Sequence, residues 1–370
     1  MEKKRINRRD FLKWTGVASV SMLGVSKLPR AAYGEKREPF KLGIIAPLTG
    51  VQAILGPPIV EGATIAAEVI NEKGGILGRK LELKIEDDKF DPAAAAEAGK
   101  KLLQRDKVDF LIGTCSSPTT LAVIPIAGRA NRIFIYPVEG EAKACHPHVF
   151  GLGATPAQKL DMFMPWAVEN LGKSYYLVGS DYVFPRFVNA EAIKLIKQSG
   201  GRVVGEEYAP LGTTDWSTII TRIEAAKPDV LFASTVGADA VTFIKQSYEF
   251  GLSRKMKITG NPSFDASHLP GMGAVANGSY SPQVWYDDID NPANKEFMSR
   301  YRAKYNPKWP VMPFAPTVYA GVLFIKKAAE KAGSMDSKKL IKVLEGLTVD
   351  TPSGAITINK ENNSISCNVF

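Results

Sequence analysis

The chain has 370 residues, of which 45% are hydrophobic, and it carries a formal net charge of +9. This length and composition are typical of a globular protein with two or three domains. Six of the nine net positive charges lie in residues 1–34, so the remainder is nearly balanced and gives no electrostatic case for nucleic-acid binding.

The first 34 residues are predicted to be an export signal rather than part of the fold. A basic start containing Arg8-Arg9 is followed by a short apolar run, Trp14–Val25, and by the small residues that cleavage near Gly34 requires. The paired arginines favour the twin-arginine route, and an ordinary basic signal peptide is the alternative. Because the apolar run is too short to span a bilayer, we expect a periplasmic protein without stable membrane insertion.

Buried strands alternate with helices from Leu42 onward, which predicts an α/β fold with a parallel, doubly wound sheet. The strands predicted for this first sheet are Leu42–Ala46, Leu81–Glu86, Val108–Gly113 and Ile133–Tyr136. The pattern then restarts, and a second sheet is predicted from Tyr175–Gly179, Arg202–Tyr208, Val230–Ala233 and Met256–Thr259. The remaining predicted elements are the helices Pro292–Tyr305, Thr317–Lys331 and Ser337–Leu347, and a hairpin of Ala355–Asn359 and Ser364–Val369 that leaves the chain ending in mid-strand. Two sheets of one kind indicate two lobes.

Candidate ligand residues come just after strands, because ligands of such sheets bind beyond the carboxyl ends of the strands. Ser116 and Ser117 follow the third strand, and Ser117 is the predicted N-cap of a helix whose first residue is Pro118. The two hydroxyls and the helix amides could hold a carboxylate or a carbonyl oxygen. The alternative is that Ser117 only caps its helix.

Two acids and two tyrosines extend this set. Glu139 and Asp181 follow strand ends in different lobes and could accept hydrogen bonds from an ammonium or amide group. Tyr136 and Tyr182 could supply flat walls and a hydroxyl group. Taken singly, each acid could equally be a solvated loop residue, and each tyrosine a core residue.

Signals for catalysis and metal binding are weak. The sequence contains no phosphate-loop, dinucleotide-binding or hydrolase nucleophile motif, so we expect neither an enzyme nor a cofactor. His146-Pro147-His148 is interpreted as a surface loop rather than a metal site. Cys115 and Cys145 each follow a predicted strand of the same sheet and could form a disulfide; three free thiols, including Cys367, are the alternative.

Several stretches together carry a family resemblance. They are Ile45–Asp88, which begins I-A-P-L-T-G and ends D-D, Tyr176–Arg186, and Thr214–Ser217 followed by Ala226–Val230. These stretches resemble the type I periplasmic solute-binding proteins of ABC importers, in the group that serves branched-chain amino acids, short amides and urea. The resemblance implies two Rossmann-like lobes joined by three hinge crossings, with lobe 1 at 38–153 plus 286–345 and lobe 2 at 154–285 plus 346–370. We expect a monomer that closes on a small molecule by hinge motion and is then recognised by a membrane permease.

The resemblance also assigns the ligand contacts. They fall on Ser116, Ser117, Tyr136, Glu139, Asp181, Tyr182 and Thr235. Amino-acid binders of this group place an acid for the ligand ammonium after the strand corresponding to Met256–Thr259, where this chain has Asn261-Pro262-Ser263, with Asp265 beyond it. Because an unpaired ammonium is costly to bury, a standard amino acid would require Glu139 or Asp239 as a substitute. The predicted ligand is therefore a small amide, urea or an amino acid; a sensory module of the same fold and an exported enzyme are the alternative functions.

Overall fold

The computed structural model describes residues 38–50, 52–140, 146–367 and 369–370, so the predicted signal peptide lies outside the described residues. The described helices are, in chain order, α1 (Pro57–Glu72), α2 (Pro92–Lys100), α3 (Ser117–Arg129), α4 (Pro156–Asn170), α5 (Val183–Gln198), α6 (Ser217–Ala226), α7 (Gly237–Glu249), α8 (Leu269–Met272), α9 (Pro292–Tyr305), α10 (Phe314–Ala332) and α11 (Ser337–Leu344). A short 3₁₀ turn, Ala53–Leu55, precedes α1. Of the three helices predicted above, α9 has the predicted bounds, α10 begins three residues earlier than predicted, and α11 ends three residues earlier.

The first sheet has five parallel strands. They are β1 (Phe40–Ala46), β2 (Leu81–Asp87), β3 (Phe110–Gly113), β4 (Ile133–Tyr136) and β5 (Val149–Gly151), in the order β2-β1-β3-β4-β5. The four strands predicted for this sheet are confirmed. β5 was not predicted, because three residues are too few to show a pattern.

Apolar side chains cover both faces of this sheet, as the continuous apolar run of β1 predicts. Ile44 packs on one face with α1 and α10, and Ile45 packs on the other face with α2 and α3. Among the described residues, Ala53–Glu72 is the one helical stretch long and apolar enough to cross a membrane. It is mostly buried against the sheet and α10, which is the environment of a core helix.

The second sheet repeats this design with four parallel strands. They are β6 (Ser174–Ser180), β7 (Arg202–Ala209), β8 (Val230–Ser234) and β9 (Lys257–Gly260), in the order β7-β6-β8-β9. Val178 belongs to a core with α6 and α7, and Leu177 belongs to a core with α4 and α5. Both sheets are therefore doubly wound, and the predicted fold class is confirmed.

A third, antiparallel sheet follows the last helix. It consists of β10 (Thr348–Thr351), β11 (Gly354–Ile358) and β12 (Ile365–Ser366). The hairpin of β11 and β12 was predicted, whereas β10 was not, because its sequence is short and mostly polar. Val349, Ile356 and Ile365 belong to the same core as Ile44 of the first sheet. The β10–β12 segment therefore shares the core of the first sheet, and the lobe boundaries stay a prediction.

Candidate functional site

A cavity of about 450 Å³, including the part that is open to solvent, lies between the two sheets. Its walls come from segments that follow β1, β3 and β4 of the first sheet and β6, β8 and β9 of the second. The start of α10 adds Met312 and Phe314. The carboxyl ends of both sheets therefore face one space, which is where parallel α/β sheets bind ligands.

The serine pair lines this cavity, with one correction to the predicted helix start. Ser116, not Ser117, is the N-cap of α3, because its hydroxyl accepts a hydrogen bond of 3.3 Å from the Thr119 N–H. Pro118 is consequently the second helical residue rather than the first. Both serines are buried at the positive end of α3, which favours a negatively charged or carbonyl oxygen.

Aromatic side chains form much of the remaining wall. Tyr136 and Tyr182, both predicted, line the cavity, and the Tyr136 hydroxyl donates to the Glu139 carbonyl oxygen at 3.1 Å. Tyr182 also contacts the ring of Phe90 edge-on, with 6.3 Å between ring centroids, so that it joins the two sheets. Phe184 and Phe314 complete this wall and were not predicted. The cavity therefore has an apolar region, which could hold the body of a ligand, next to the polar end formed by Ser116 and Ser117.

Glu139 lines the cavity but is already paired. Its carboxylate contacts Lys159 Nζ of α4 at 3.0 Å and accepts a hydrogen bond of 2.8 Å from Asn261 Nδ2. Burial raises the pKa of Glu139, and Lys159 and Asn261 oppose that effect. Burial alone would lower the pKa of Lys159, but the Glu139 and Asp265 carboxylates raise it overall. The result is a buried ion pair that joins a residue after β4 to a helix of the second lobe.

Asp265 and His268 approach the cavity from the second sheet. Both are buried in its wall, and Asp265 accepts a hydrogen bond of 2.5 Å from Gln283 Nε2. His268 Nε2 accepts from the Gly237 N–H at 2.9 Å, and its Nδ1 lies 3.0 Å from the Ser263 carbonyl oxygen. Burial lowers the pKa of His268. The imidazole is therefore neutral, with the proton on Nδ1, and Asp265 lines the same part of the cavity.

Two predicted residues do not belong to the cavity wall. Asp181 is an exposed acid that pairs with Arg186 at 2.8 Å. Thr235 is fully buried, and its hydroxyl lies 2.9 Å from the Ser263 hydroxyl behind the wall formed by its neighbour Val236. Asp239, named above as a substitute acid, is occupied by Ser180 at 2.8 Å and by the Gly212 N–H at 2.9 Å.

Most of the cavity residues that were not predicted have no local feature in the sequence that marks them. Lys159 sits in the first turn of a helix where a lysine normally reaches solvent, yet it is 3% exposed. His268 and Phe314 follow no strand directly. Asp265 carried a signal, its place shortly after the last strand of the second sheet, and its role could have been inferred from that.

Two of the three cysteines lie among the described residues, and both are free thiols. Cys115 lines the cavity as a buried free thiol, and burial raises its pKa. Cys367 is also a free thiol, whereas Cys145, the predicted disulfide partner of Cys115, lies outside the described residues. Within the described part of the chain, no group of three or more His, Cys, Asp or Glu could hold a metal ion.

Comparison with known proteins adds independent evidence. A family model described as periplasmic binding protein matches residues 39–370. The chain is 26% identical over 352 residues to Leu/Ile/Val-binding protein homolog 3 of Brucella melitensis biotype 1, covering 93% of this chain and 92% of that protein. It is 24% identical over 348 residues to a leucine-, isoleucine-, valine-, threonine- and alanine-binding protein of Pseudomonas aeruginosa, covering 90% and 89%. A crystal structure of an ABC transporter solute-binding protein from Rhodopseudomonas palustris BisB5, in complex with 3,4-dihydroxybenzoic acid, matches with a TM-score of 0.83 and 27% identity, covering 90% and 92%.

Proposed function

Because the chain belongs to the periplasmic binding protein family, we propose that it is the periplasmic component of an ABC importer and that it captures an α-amino acid. Its relatives are solute-binding proteins, which supports binding and delivery rather than catalysis. The ABC-transporter relative favours transport over a purely sensory role. A membrane permease is the partner that this function requires.

The ligand class is inferred from the two polar ends of the cavity, one of which suits a negatively charged group and the other a positively charged group. Ser116 and Ser117, at the positive end of α3, fit a carboxylate. Asp265 approaches from the other sheet and fits an ammonium group. A zwitterion can satisfy both ends at once, and it would draw the two lobes together because each lobe holds one of its charges.

The charges around the cavity support the same ligand. Lys159 is the one cation among these described groups and lies near both Glu139 and Asp265, and His268 is neutral, so the two acids carry one negative charge in excess. Burying that charge without a partner is costly, and a ligand ammonium would compensate it. Asp265 would therefore bind the ligand ammonium, a role for which only Glu139 and Asp239 were considered from the sequence.

A second candidate ligand is an aromatic carboxylate. An aromatic ligand could pack against four aromatic side chains of the wall, those of Tyr136, Tyr182, Phe184 and Phe314. The Rhodopseudomonas palustris protein is in complex with an acid of this kind. Such an anion would leave the Asp265 charge uncompensated, which makes it the weaker candidate. Amides and urea carry no charge for either end of the cavity and are weaker still.

Isothermal titration calorimetry on wild type and Asp265→Asn tests the proposal. We expect wild type to bind at least one apolar or small polar α-amino acid, and Asp265→Asn to lose about 10- to 100-fold in affinity. A charged hydrogen bond of about 1.5–3 kcal/mol accounts for that loss. The asparagine Oδ1 can still accept from Gln283, so the cavity wall is retained.

The matched control is Asp181→Asn, an acid of the same lobe that is exposed and paired with Arg186 outside the wall. Its affinity should stay within about twofold of wild type, as is usual for surface ion pairs. The ligand panel includes 4-hydroxybenzoate, acetamide and urea. Binding of an aromatic acid that Asp265→Asn leaves unchanged or improves, with no amino acid bound, would overturn the amino-acid assignment.

A further inference from the structure

Gln52 carries a buried amide that the fold leaves unpaired. It directly precedes the 3₁₀ turn Ala53–Leu55, and its carbonyl oxygen accepts from the Leu55 N–H at 3.0 Å. The residue is 0% exposed, yet neither its side-chain nitrogen nor its side-chain oxygen has a hydrogen-bond partner among the described residues. Native proteins rarely leave both atoms of a buried amide unpaired, because each loses its hydration without compensation.

This amide crosses from one lobe to the other. Gln52 follows β1 of the first sheet, and its side-chain oxygen lies against Gly237, the first residue of α7 in the second lobe. A Cβ atom at position 237 would overlap that oxygen, and Gly237 has φ +54°, a conformation that favours glycine. The Gly237 N–H is directed at His268 Nε2, so it does not serve the amide.

The amide also stands beside the ligand cavity. Leu55, one turn along from Gln52, lines the cavity, and so does Val236, the residue before Gly237. The contact between Gln52 and Gly237 therefore has a wall residue close along the chain on each side, Leu55 in one lobe and Val236 in the other. A ligand group that passes between Leu55 and Val236 would meet its donor and its acceptor together.

We propose that Gln52 is a specificity-determining residue, which pairs with a neutral hydrogen-bonding side chain of the bound amino acid. The proposal rests on the amino-acid function above and names a narrower ligand class, the hydroxyl- and carboxamide-bearing amino acids. An amide can donate and accept, so it matches either group. An apolar side chain of the same shape would leave both amide atoms unpaired, and sites of this kind reject such analogues strongly.

A charged ligand side chain is disfavoured at the same place. Glu139 is paired with Lys159, and Asp265 is assigned to the ligand ammonium. Gln52 has no charge to offer, so a further ionised group would be buried without a counter-charge. The neutral polar amino acids are therefore the class that fits.

Two pairs of ligands with nearly equal shape test this inference by calorimetry: L-asparagine against L-leucine, and L-threonine against L-valine. In wild type we expect the polar member of at least one pair to bind about tenfold more tightly or better. Gln52→Leu and Gln52→Met remove the hydrogen-bonding groups while keeping bulk, and each should bring that ratio close to one or invert it. Thermal melts establish that the variants are folded. Two variants are used so that the test can still be made if one of them does not fold.

Leu55→Met is the matched control, since it changes the shape of the same wall without changing its polarity. It should shift the affinities of both members of a pair together and keep their ratio. A ratio equal in wild type and in both Gln52 variants would overturn the inference. If both Gln52 variants bound all four ligands more tightly than wild type by the same factor, the inference would also be overturned. Gln52 would then act only by making closure of the two lobes less favourable.

Failure of the proposed function is distinguishable from failure of this inference. If no amino acid binds, the amino-acid function fails, and the comparison moves to 4-hydroxybenzoate and 4-methylbenzoate, which differ by a hydroxyl against a methyl group. A preference for the hydroxyl that both Gln52 variants abolish would support the role of Gln52. The same preference in all forms, or none in wild type, would refute it.

Discussion

At the scale of single residues, Asp88 is an acid that the fold holds in an unfavourable place. It is fully buried just after β2, and its Oδ1 accepts from the Phe90 N–H at 2.9 Å. Its Oδ2 has no hydrogen-bond partner among the described residues. Burial raises the pKa of Asp88 to about 6, and the neighbouring carboxylates of Asp87 and Asp91 add to the shift.

This shift predicts that Asp88 weakens the fold as pH rises. The folded pKa lies above the ordinary value of 3.8, so between these values the folded state holds more protons and stability falls with increasing pH. The free energy of unfolding of Asp88→Asn, relative to that of wild type, should increase by about 2 kcal/mol from pH 4.5 to pH 7.5. Urea denaturation at the two pH values measures the gain. Asp161→Asn, at an exposed acid, should give no such change; an equal pH response in wild type and Asp88→Asn would contradict the prediction.

Only some of the residues in the cavity wall could be predicted from the sequence alone. Strand ends are visible in the sequence, and five residues that line the cavity were predicted because each lies at or just after the end of a parallel strand: Ser116, Ser117, Tyr136, Glu139 and Tyr182. The partners of Glu139 were not found, because they are distant along the chain and meet it only in the folded protein. Burial decides whether an acid is paired or available, and burial is a property of the tertiary structure.

At the scale of elements, α1 and α10 pack closely because Gly62 has no side chain. A Cβ atom at Gly62 would overlap the backbone carbonyl oxygen of Ala315 at the start of α10. Gly62→Ala should therefore destabilise the protein by about 1–3 kcal/mol through overpacking. Chemical denaturation measures the loss.

A second helical glycine provides the matched control. Gly99 lies near the end of α2, where an added Cβ would meet Val123 Cγ1 at 3.7 Å, an ordinary contact. Gly99→Ala should be neutral or should gain up to about 1 kcal/mol, because alanine loses less entropy in a helix. A Gly62→Ala variant as stable as Gly99→Ala would contradict the prediction and would mean that α1 and α10 can move apart to relieve the overlap.

Secondary structure was largely predictable because each main strand is a continuous apolar run between turn residues. The elements that escaped prediction are β5 and β10, which are short and gain their order from neighbours. β5 pairs with β4, and β10 pairs with β11 and shares a core with α10. Such strands are specified by the sheet or core that receives them, so their own residues carry little signal.

At the scale of the whole molecule, the two sheets were evident in the sequence but the links between them were not. The repeat of strand and helix predicts two similar lobes. The contacts that join the lobes involve Glu139 with Lys159, Tyr182 with Phe90, and Gln52 with Gly237. These pairs depend on how the lobes are oriented, and a pattern within either lobe cannot predict that orientation.

The buried pair of Glu139 and Lys159 is the strongest of these links and gives the last prediction. Lys159→Met alone should cost about 3–5 kcal/mol in chemical denaturation, because it leaves the Glu139 carboxylate buried without its counter-charge. The double variant Glu139→Gln/Lys159→Met should recover most of that loss, since Asn261 Nδ2 can still donate to the glutamine oxygen. A double variant as unstable as Lys159→Met would show instead that other interactions of the Lys159 ammonium, such as the one with Asp265, account for the loss, and not its pairing with Glu139.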